Sequence, residues 1–297
     1  MCDASVLGVD IGGTHMTAAV VDLSTTALVP GTWAREKVDS HGSANEIMAA
    51  WAAVIRATGA LPTRIGISLP GPFDYEAGIC LIRNQNKFES LYGLNIKELL
   101  ADKLGLQARD ICLHNDAACF LKGEVFGGAA KGAVSAIGLT LGTGLGSARF
   151  QEGQAADADL WCSPFKDSIA EDYLSTRALV NSYRRLSGRS VKDAEELAGL
   201  YSTDQQARQT FGEFARDLAL FLAAFIQAEQ PEVVVIGGNI AKAWDLFIPE
   251  TRLQLQRQGT PAALRPALLG ETAAMMGAAS YWQAQPRSES LAFNLPG

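Results

Sequence analysis

The sequence contains few of the residues that form metal centres and disulfides. Its 297 residues include three histidines and five cysteines. The cysteines form neither a Cys-x-x-Cys pair nor a regular framework, so we predict buried free thiols, no disulfides and no structural zinc. The histidines are scattered without the spacing of metal ligands, and only His114 has neighbours that suggest a function. The residues concerned are Cys2, Cys80, Cys112, Cys119, Cys162, His15, His41 and His114.

A basic surface and a long apolar run are also missing. The net charge is −7 at pH 7, and no stripe of Lys or Arg offsets it, which argues against a nucleic-acid partner held by phosphate contacts. No apolar run reaches the roughly eighteen residues of a membrane span, and the start of the chain lacks the features of a secretory signal. We therefore predict a globular protein of the cytoplasm with no nucleic-acid or membrane partner.

Two common nucleotide-binding motifs are absent as well. The G-x-x-x-x-G-K-[ST] pattern of the P-loop does not occur. Gly8, Gly12 and Gly13 are wrongly spaced for the G-x-G-x-x-G dinucleotide motif. Any nucleotide site in this chain therefore uses a different kind of glycine turn.

Short apolar runs alternate with helical patterns along the whole chain. The runs have the near-continuous apolar character of strands that are covered on both faces. A capping box at Ser43 and Glu46 predicts a helix to about Arg56, and an apolar stripe from Phe211 to Phe225 predicts a longer helix packed on the core. This alternation predicts an α/β protein. The predicted strands are residues 6–11, 64–69, 111–114, 134–141 and 232–236.

Two of these strands run into a glycine turn followed by more strand-like sequence. GVDIGGT at residues 8–14 and GLTLGTG at 138–144 share a pattern, and each predicts a β-hairpin whose backbone N–H groups could face phosphate. A plain structural turn explains either copy equally well. The repeat favours a duplicated fold, with a boundary near residues 113–116. A third turn, VVVIGGNI at 233–240, ends a buried strand where a flat ring could lie against bare backbone.

The three turns resemble the phosphate 1, phosphate 2 and adenosine motifs of the superfamily of sugar kinases, Hsp70 and actin. With GPFD at residues 71–74 and HNDAA at 114–118, they resemble the ROK family of bacterial sugar kinases and repressors, from about residue 5 to residue 283. The resemblance implies two ribonuclease H-like (actin-like ATPase) α/β domains, a smaller one over 1–114 and a larger one over 115–297, with the active site in the interdomain cleft. Whether the last helix packs back on the N-terminal domain stays open.

The resemblance also implies the residues that bind ATP and Mg²⁺. Asp10 would serve the magnesium through water, because a hard carboxylate beside the first turn suits this ion. The alternative for Asp10 is an Asp that closes a turn with its own backbone. The implied cofactor-binding residues are Asp10, Gly12, Gly13, Thr14, Gly142, Thr143, Gly144, Gly237, Gly238 and Asn239.

The same resemblance implies that the adjacent Asn115 and Asp116 bind the sugar and accept the proton of its hydroxyl. Asn115 would bind sugar hydroxyls and Asp116 would be the general base, since a strand end that faces a cleft brings a carboxylate within reach of a substrate. Helix capping is the structural alternative for Asp116. In the same family, Asn86 would bind the sugar, although Asn84 is close enough to fit the pattern, and Gly71 would help to shape one wall.

The chain departs from the family where typical members carry a Glu-x-Gly-His stretch and a zinc-binding cysteine cluster. Residues 157–175 contain one cysteine and no histidine, so zinc is not expected. Glu171 resembles the last Glu of the cluster and is predicted to be a sugar ligand, with a solvated acid at a helix start as the alternative. Trp161 and Phe165 fit either aromatic packing or a platform for a sugar.

The implied function is an ATP- and Mg²⁺-dependent kinase that phosphorylates a hydroxyl of a hexose or related sugar. Homodimers are usual in the resembling family. Two alternatives stay open, a sugar-responsive regulator and a catalytically silent binding protein. Family repressors carry an additional N-terminal DNA-binding domain, and the first predicted strand begins within six residues of Met1, so we expect no such domain here.

Overall fold

The computed structural model describes residues 4–59, 63–85 and 87–283. In the first half, apolar runs form short strands and the capped segments form helices. In chain order these are β1 (Ser5–Ile11), β2 (His15–Asp22), β3 (Ala27–Leu28), β4 (Ala34–Lys37), α1 (Ala44–Ala57), β5 (Ile65–Leu69), β6 (Phe73–Asp74), β7 (Ile79–Cys80), α2 (Ile96–Leu104) and β8 (Ile111–Asn115). Short 3₁₀ helices lie at Glu89–Leu91 and Ala108–Asp110.

The second half repeats this alternation with longer helices. In chain order it forms α3 (Asp116–Gly127), β9 (Ser135–Leu141), β10 (Leu145–Gln151), β11 (Gln154–Asp157), β12 (Pro164–Phe165), β13 (Ser168–Ile169), α4 (Thr176–Ser187), α5 (Ala194–Gly199), α6 (Gln205–Glu229), β14 (Val233–Gly237), α7 (Trp244–Arg257), β15 (Leu264–Pro266) and α8 (Ala273–Ser280). Short 3₁₀ helices lie at Ala170–Asp172, Ile240–Ala243, Gly270–Thr272 and Tyr281–Gln283.

The two larger sheets have the same connectivity. In the first, the hairpin β1–β2 is antiparallel and β5 and β8 extend it in parallel beyond β1. In the second, the hairpin β9–β10 is antiparallel and β14 and β15 add in parallel beyond β9. The strands β3 and β4 flank β2, and β11 flanks β10. The predicted α/β fold built from two related halves is confirmed.

The helices and sheets stack in layers. The helices α1 and α2 cover one face of the first sheet, and α4, α6 and α7 cover the outer face of the second. Between the sheets, α8 packs on the first and α3 packs on the second. Each sheet is therefore covered on both faces, which explains the near-continuous apolar character of its strands. The domain limits 1–114 and 115–297 stay a prediction.

Glycines allow the two central helices to touch through their backbones. A Cβ atom on Gly277 of α8 would lie 1.8 Å from the Cys119 carbonyl oxygen of α3, and one on Gly123 of α3 would lie 2.0 Å from the Ala273 carbonyl oxygen. Glycine in the first sheet has the same effect, because a Cβ on Gly66 would lie 2.1 Å from the Ala278 carbonyl oxygen. The helix α8 thus lies directly against both α3 and the first sheet.

Several local predictions are confirmed. Ser43 caps α1 and forms the reciprocal capping box with Glu46. Phe211 and Phe225 lie in α6 and are buried, as the apolar stripe predicts. None of the helices in the described part of the chain combines the length and apolar character of a membrane-spanning helix.

Two local expectations need correction. Cys80, Cys112 and Cys119 are buried free thiols, but Cys162 is exposed, because it lies in a surface loop after β11, and Cys2 is outside the described residues. The residue that caps α3 is Asn115, whose side-chain oxygen accepts a hydrogen bond from the Ala118 N–H. Asp116 is the first residue of the helix, and its carboxylate accepts the Ala117 N–H.

Candidate active site

Side chains from the ends of neighbouring parallel strands meet at one edge of the first sheet. Asp10 of β1 pairs in register with Ser68 of β5, and Ser68 pairs with His114 of β8. Asp116 follows at the first position of α3. This edge, at the carboxyl ends of the parallel strands, is where open α/β sheets bind ligands.

Asp10 lies partly buried at this edge. Its Oδ1 atom accepts a hydrogen bond of 2.8 Å from the Ser68 hydroxyl. Burial, opposed by the Ser68 hydrogen bond and supported by the negative charge of Asp116, raises the pKa of Asp10 to about 6. Arg35, whose charge also acts on Asp10, is paired with Glu271 at 2.5 Å. Among the described residues Asp10 has no ion-pair partner of its own.

The Asp116 side chain is exposed at the first position of α3. Its Oδ1 atom accepts a hydrogen bond of 2.8 Å from the Ala117 N–H, which leaves the other carboxylate oxygen free. Desolvation by the surrounding protein raises the pKa of the Asp116 carboxyl, and the hydrogen bond from the Ala117 N–H opposes that rise. The structure therefore brings Asp10 and Asp116 together, and each side chain is accessible from the cleft.

Asn115 lies beside this pair, with both ends of its amide engaged. Its oxygen caps α3 and its Nδ2 donates a hydrogen bond of 2.8 Å to Asp157 Oδ2 at the end of β11. The Tyr75 hydroxyl lies 3.5 Å from the same Nδ2 atom. A Cβ on Gly71 would lie 3.0 Å from that hydroxyl, so the predicted wall residue is in the same corner. Asn86, the remaining predicted sugar ligand of the first half, is outside the described residues.

The first glycine turn closes the β1–β2 hairpin. The Gly12 N–H donates to the His15 carbonyl at 2.9 Å. A Cβ on Gly13 would meet no atom within 4 Å, so this side of the turn faces open space. Within the described part of the chain, the N–H groups of Gly13 and Thr14 have no hydrogen-bond partner, and they are available to a ligand.

The second glycine turn closes the β9–β10 hairpin with three residues between the paired Leu141 and Leu145, one fewer than the four between Ile11 and Met16 in the first. The Gly142 N–H donates to the Gly144 carbonyl at 3.0 Å, and Thr143 is exposed at the tip. The Glu171 Oε2 atom accepts a hydrogen bond of 3.1 Å from the Leu145 N–H. A Cβ on Gly144 would lie 2.5 Å from the same oxygen. The Glu171 carboxylate thus lies directly against this turn.

The third turn follows β14. A Cβ on Gly237 would lie 2.7 Å from the Phe120 ring, and one on Gly238 would lie 2.3 Å from the Leu141 carbonyl oxygen. Gly238 also has a φ of 89°, which disfavours other residues. Packing therefore requires both glycines, while Gly238 and Asn239 remain exposed toward solvent.

The segment predicted to lack zinc folds as a small hairpin of β12 and β13. Phe165 is buried with its ring centroid 5.3 Å from Tyr173 and 6.3 Å from Phe221, which fits aromatic packing. Trp161 is 43% exposed. Among the described residues, no group of three or more His, Cys, Asp or Glu side chains is arranged to hold a metal ion.

Three residues of this site are absent from the sequence-based set. Asp157 and Tyr75 each lie about forty residues from Asn115 along the chain, and Ser68 is a small polar residue inside an apolar strand. Buried serine in such a strand is a weak signal that it has a partner. Asp157 and Tyr75 carry no comparable local signal.

Comparison with known proteins identifies the family. A model of the ROK family matches residues 6–285. The chain belongs to the ROK family. The resemblance based on the three glycine turns and the Asn-Asp pair is therefore confirmed.

The ROK relatives share the fold over nearly the whole chain. The N-acetyl-D-glucosamine kinase of Mannheimia succiniciproducens is 24% identical over 73% of this chain and 80% of its own length. The glucokinase of Thermotoga maritima is 26% identical over 93% of this chain and 96% of its own. The crystal structure of a ROK hexokinase from Thermus thermophilus matches with a TM-score of 0.74 at 26% identity, covering 94% of this chain and 98% of that one.

Proposed function

We propose that this chain is an ATP- and Mg²⁺-dependent sugar kinase that transfers the γ-phosphate of ATP to a hydroxyl of a hexose or related sugar. The observation that carries the proposal is the pair of carboxylates, Asp10 and Asp116, at one sheet edge of a fold in which each half carries a glycine-containing hairpin. ROK relatives named as kinases of N-acetyl-D-glucosamine and of glucose support it. Because those names differ in the sugar, the proposal is limited to the class.

Asp116 would act as the general base. The Ala117 N–H engages one carboxylate oxygen, and the other oxygen would accept the proton of a sugar hydroxyl. The first turn of α3 favours the ionised carboxylate, whereas the surrounding protein raises its pKa. A raised pKa makes the carboxylate a stronger base.

The surroundings of Asp10 fit a magnesium ion held through water. The carboxylate is oriented by Ser68 and lacks an ion-pair partner among the described residues, and hard oxygen ligands suit Mg²⁺. When bound with ATP, this ion would neutralise charge on the transferred phosphate. Asp10 would be the residue that holds this ion.

The glycine turns would grip the phosphates from two sides. The free N–H groups of Gly13 and Thr14 suit phosphate oxygens, and the matching turn supplies Thr143 and Gly144. The exposed Gly238 and Asn239 would contact the adenosine. In this arrangement the nucleotide spans both halves of the molecule, which explains why the hairpin occurs twice.

The sugar would occupy the corner formed by Gly71, Asn115 and Asp116, with Asn86 and Glu171 as further ligands. Glu171 lies on the second glycine turn through its bond to the Leu145 N–H. This contact would couple the sugar side to the phosphate side. A homodimer, a cytoplasmic location and the lack of a nucleic-acid partner remain predictions.

The test is a coupled assay of ADP release with Mg-ATP across hexoses, amino sugars, N-acetylated amino sugars and polyols. We expect turnover with at least one sugar and a thermal shift with the nucleotide. A protein that binds sugar and nucleotide without turnover would be a silent binder or a regulator. No turnover and no nucleotide-dependent shift would overturn the proposal.

A further inference from the structure

A hydrogen bond joins the last residue of β8 to the last residue of β11. Asn115 Nδ2 donates to Asp157 Oδ2 at 2.8 Å. Asn115 ends the parallel part of the first sheet, and Asp157 ends the edge strand of the second. The bond therefore connects the two halves of the molecule next to the proposed general base.

Asn115 is held by protein contacts at both ends of its amide. Its oxygen is used by the Ala118 N–H at the start of α3. One hydrogen of its amide is directed to Asp157, and the Tyr75 hydroxyl lies 3.5 Å from the same nitrogen. The amide is thus oriented by its protein neighbours, and one hydrogen and one lone pair of its oxygen remain for a sugar hydroxyl.

Asp157 has more capacity left. Its Oδ1 accepts the Asp159 N–H at 2.8 Å and its Oδ2 accepts the Asn115 amide, so each oxygen can still accept a further hydrogen bond. Among the described residues no Lys, Arg or His forms an ion pair with it. The side chain is partly exposed to the cleft, close enough to Asp116 for the two charges to repel.

We propose that Asp157 binds the sugar directly and determines specificity. It would accept a hydrogen bond from a donor on a sugar carbon close to the hydroxyl that Asp116 deprotonates. This proposal rests on the sugar kinase activity proposed above and names a residue that this activity did not include. Asn115 then acts as the residue that positions Asp157 and caps α3.

The physical reason is the unpaired charge. A carboxylate in a closing cleft without a cation partner is stabilised by a donor from the substrate and destabilised when that donor is missing. A site of this kind rejects an analogue that lacks one hydroxyl far more strongly than an apolar pocket rejects an extra group. The donor can be a hydroxyl, an ammonium or the N–H of an acetamido group.

The experiment compares the wild type with Asp157→Ala and Asp157→Asn. Sugar binding is measured by titration calorimetry, and KM and kcat are measured for the best sugar and for its deoxy analogues, one carbon at a time. The matched control is Asp159→Asn, which changes an exposed carboxylate two residues away and keeps an acceptor for the Trp161 indole N–H. ATP KM and thermal unfolding are followed in all four proteins.

We expect Asp157→Ala to raise the sugar KM and Kd by about 10- to 100-fold and to leave the ATP KM within about 3-fold. One deoxy sugar should be a poor substrate of the wild type. The Asp157→Ala variant should have similar kcat/KM for this deoxy sugar and for the parent sugar. A merely structural role would weaken all sugars equally and leave this ratio unchanged. Asp157→Asn retains the shape of the side chain and should show the same loss of selectivity if Asp157→Ala is poorly folded.

The outcomes separate this inference from the kinase proposal. If both Asp157 variants turn over sugar with unchanged KM and selectivity, the proposed sugar-binding role of Asp157 is overturned. The proposed kinase activity is then unaffected. Sugar binding that depends on Asp157 but is not followed by turnover would support the sugar-binding role of Asp157 and overturn the proposed kinase activity. A wild type that neither binds nor phosphorylates a sugar would overturn both.

Discussion

The imidazole of His114 lies flat on the phenol ring of Tyr281, with centroids 3.6 Å apart and 11° between the planes. His114 belongs to β8, one residue before the Asn-Asp pair, and Tyr281 follows α8. The His114 Nε2 atom is buried and has no hydrogen-bond partner among the residues that the structure describes. Burial, with the positive charges of Lys97 and Lys122, lowers the pKa of His114 to about 4. The folded protein therefore holds this imidazole in its neutral form.

This stack predicts that His114 makes the protein less stable in acid. An unfolded His titrates near 6.5, so between pH 6.5 and 4 the unfolded chain binds more protons than the folded one. The contribution of neutral His114 to the free energy of unfolding is complete above pH 6.5 and is lost as the pH falls. The loss amounts to roughly 2 kcal/mol at pH 5. His114→Phe keeps a ring for the stack and removes the titration. Urea unfolding of both proteins at pH 5 and pH 8 measures the difference.

The comparison with His114→Phe isolates this residue, because Asp10 titrates in both proteins. At pH 8 we expect the variant to match the wild type or exceed it slightly, since the unpartnered Nε2 is removed. Equal losses of stability in both proteins between pH 8 and pH 5 would contradict the assignment.

We expect the ionised Asp10 carboxylate to lower the stability of the protein while it is required for the magnesium-dependent activity. Its folded pKa of about 6 lies above the ordinary value of 3.8, so the folded protein binds more protons between these values and loses stability as the pH rises through them. In EDTA, Asp10→Asn should therefore be more stable than the wild type by about 1–3 kcal/mol at pH 8 and by about half as much at pH 5. The same change should raise the Mg²⁺ concentration required for half-maximal activity by at least about 10-fold. Urea unfolding and magnesium titrations measure the two effects.

Asp22→Asn is the control, because it should change the stability at pH 8 in the opposite direction to Asp10→Asn. Hydrogen bonds from Ser24 lower the pKa of Asp22, so its replacement should reduce stability at pH 8 and leave the magnesium requirement unchanged. A less stable Asp10→Asn protein would contradict the stability part of the prediction.

We expect the replacement of Asp116 to lower the reaction rate without weakening sugar binding. Asp116→Asn keeps the hydrogen bond from the Ala117 N–H, and Asn115 still caps α3. We expect kcat to fall by about 10²- to 10⁴-fold while the sugar Kd changes by less than about 3-fold. Steady-state kinetics and calorimetry give the two numbers, with the exposed Asp102→Asn of α2 as the control. A variant with a near-normal rate would show that another group is the base.

The contact between α8 and α3 predicts opposite effects for two Gly-to-Ala changes in helices. A Cβ on Gly277 would lie 1.8 Å from the Cys119 carbonyl oxygen, whereas one on Gly212 of α6 would meet only the flexible Arg216 guanidinium at 3.5 Å. Gly277→Ala should lower the free energy of unfolding by about 1–3 kcal/mol. Gly212→Ala should raise it by up to about 1 kcal/mol, because Ala is the better helix former. Thermal and urea unfolding decide the signs.

Local patterns predicted much of the fold because they act over a few residues. The capping box at Ser43 and Glu46 depends on hydrogen bonds within one turn. The glycine turns after Asp10 and Thr140 depend on short stretches that close hairpins. Such features are written in consecutive residues, and the sequence therefore reveals them.

Contacts between distant segments were harder to predict. The bond of Asn115 to Asp157 depends on how the second sheet faces the first, and no spacing along the chain encodes it. Glu171 lies against the second glycine turn for the same reason. The predicted sugar-binding roles of Asn86, Asn115 and Glu171 remain predictions.

The sequence by itself determined the two hairpins, the α/β alternation and the family, because each follows from local propensity and from motifs in a fixed order. It also placed Asp10 and Asp116 at strand ends. Only the tertiary structure decided that α8 lies between the first sheet and α3, and that Asp157 meets Asn115. The physical reason is that backbone approach at glycines such as Gly277 and a bond between two sheets depend on the packing of whole layers.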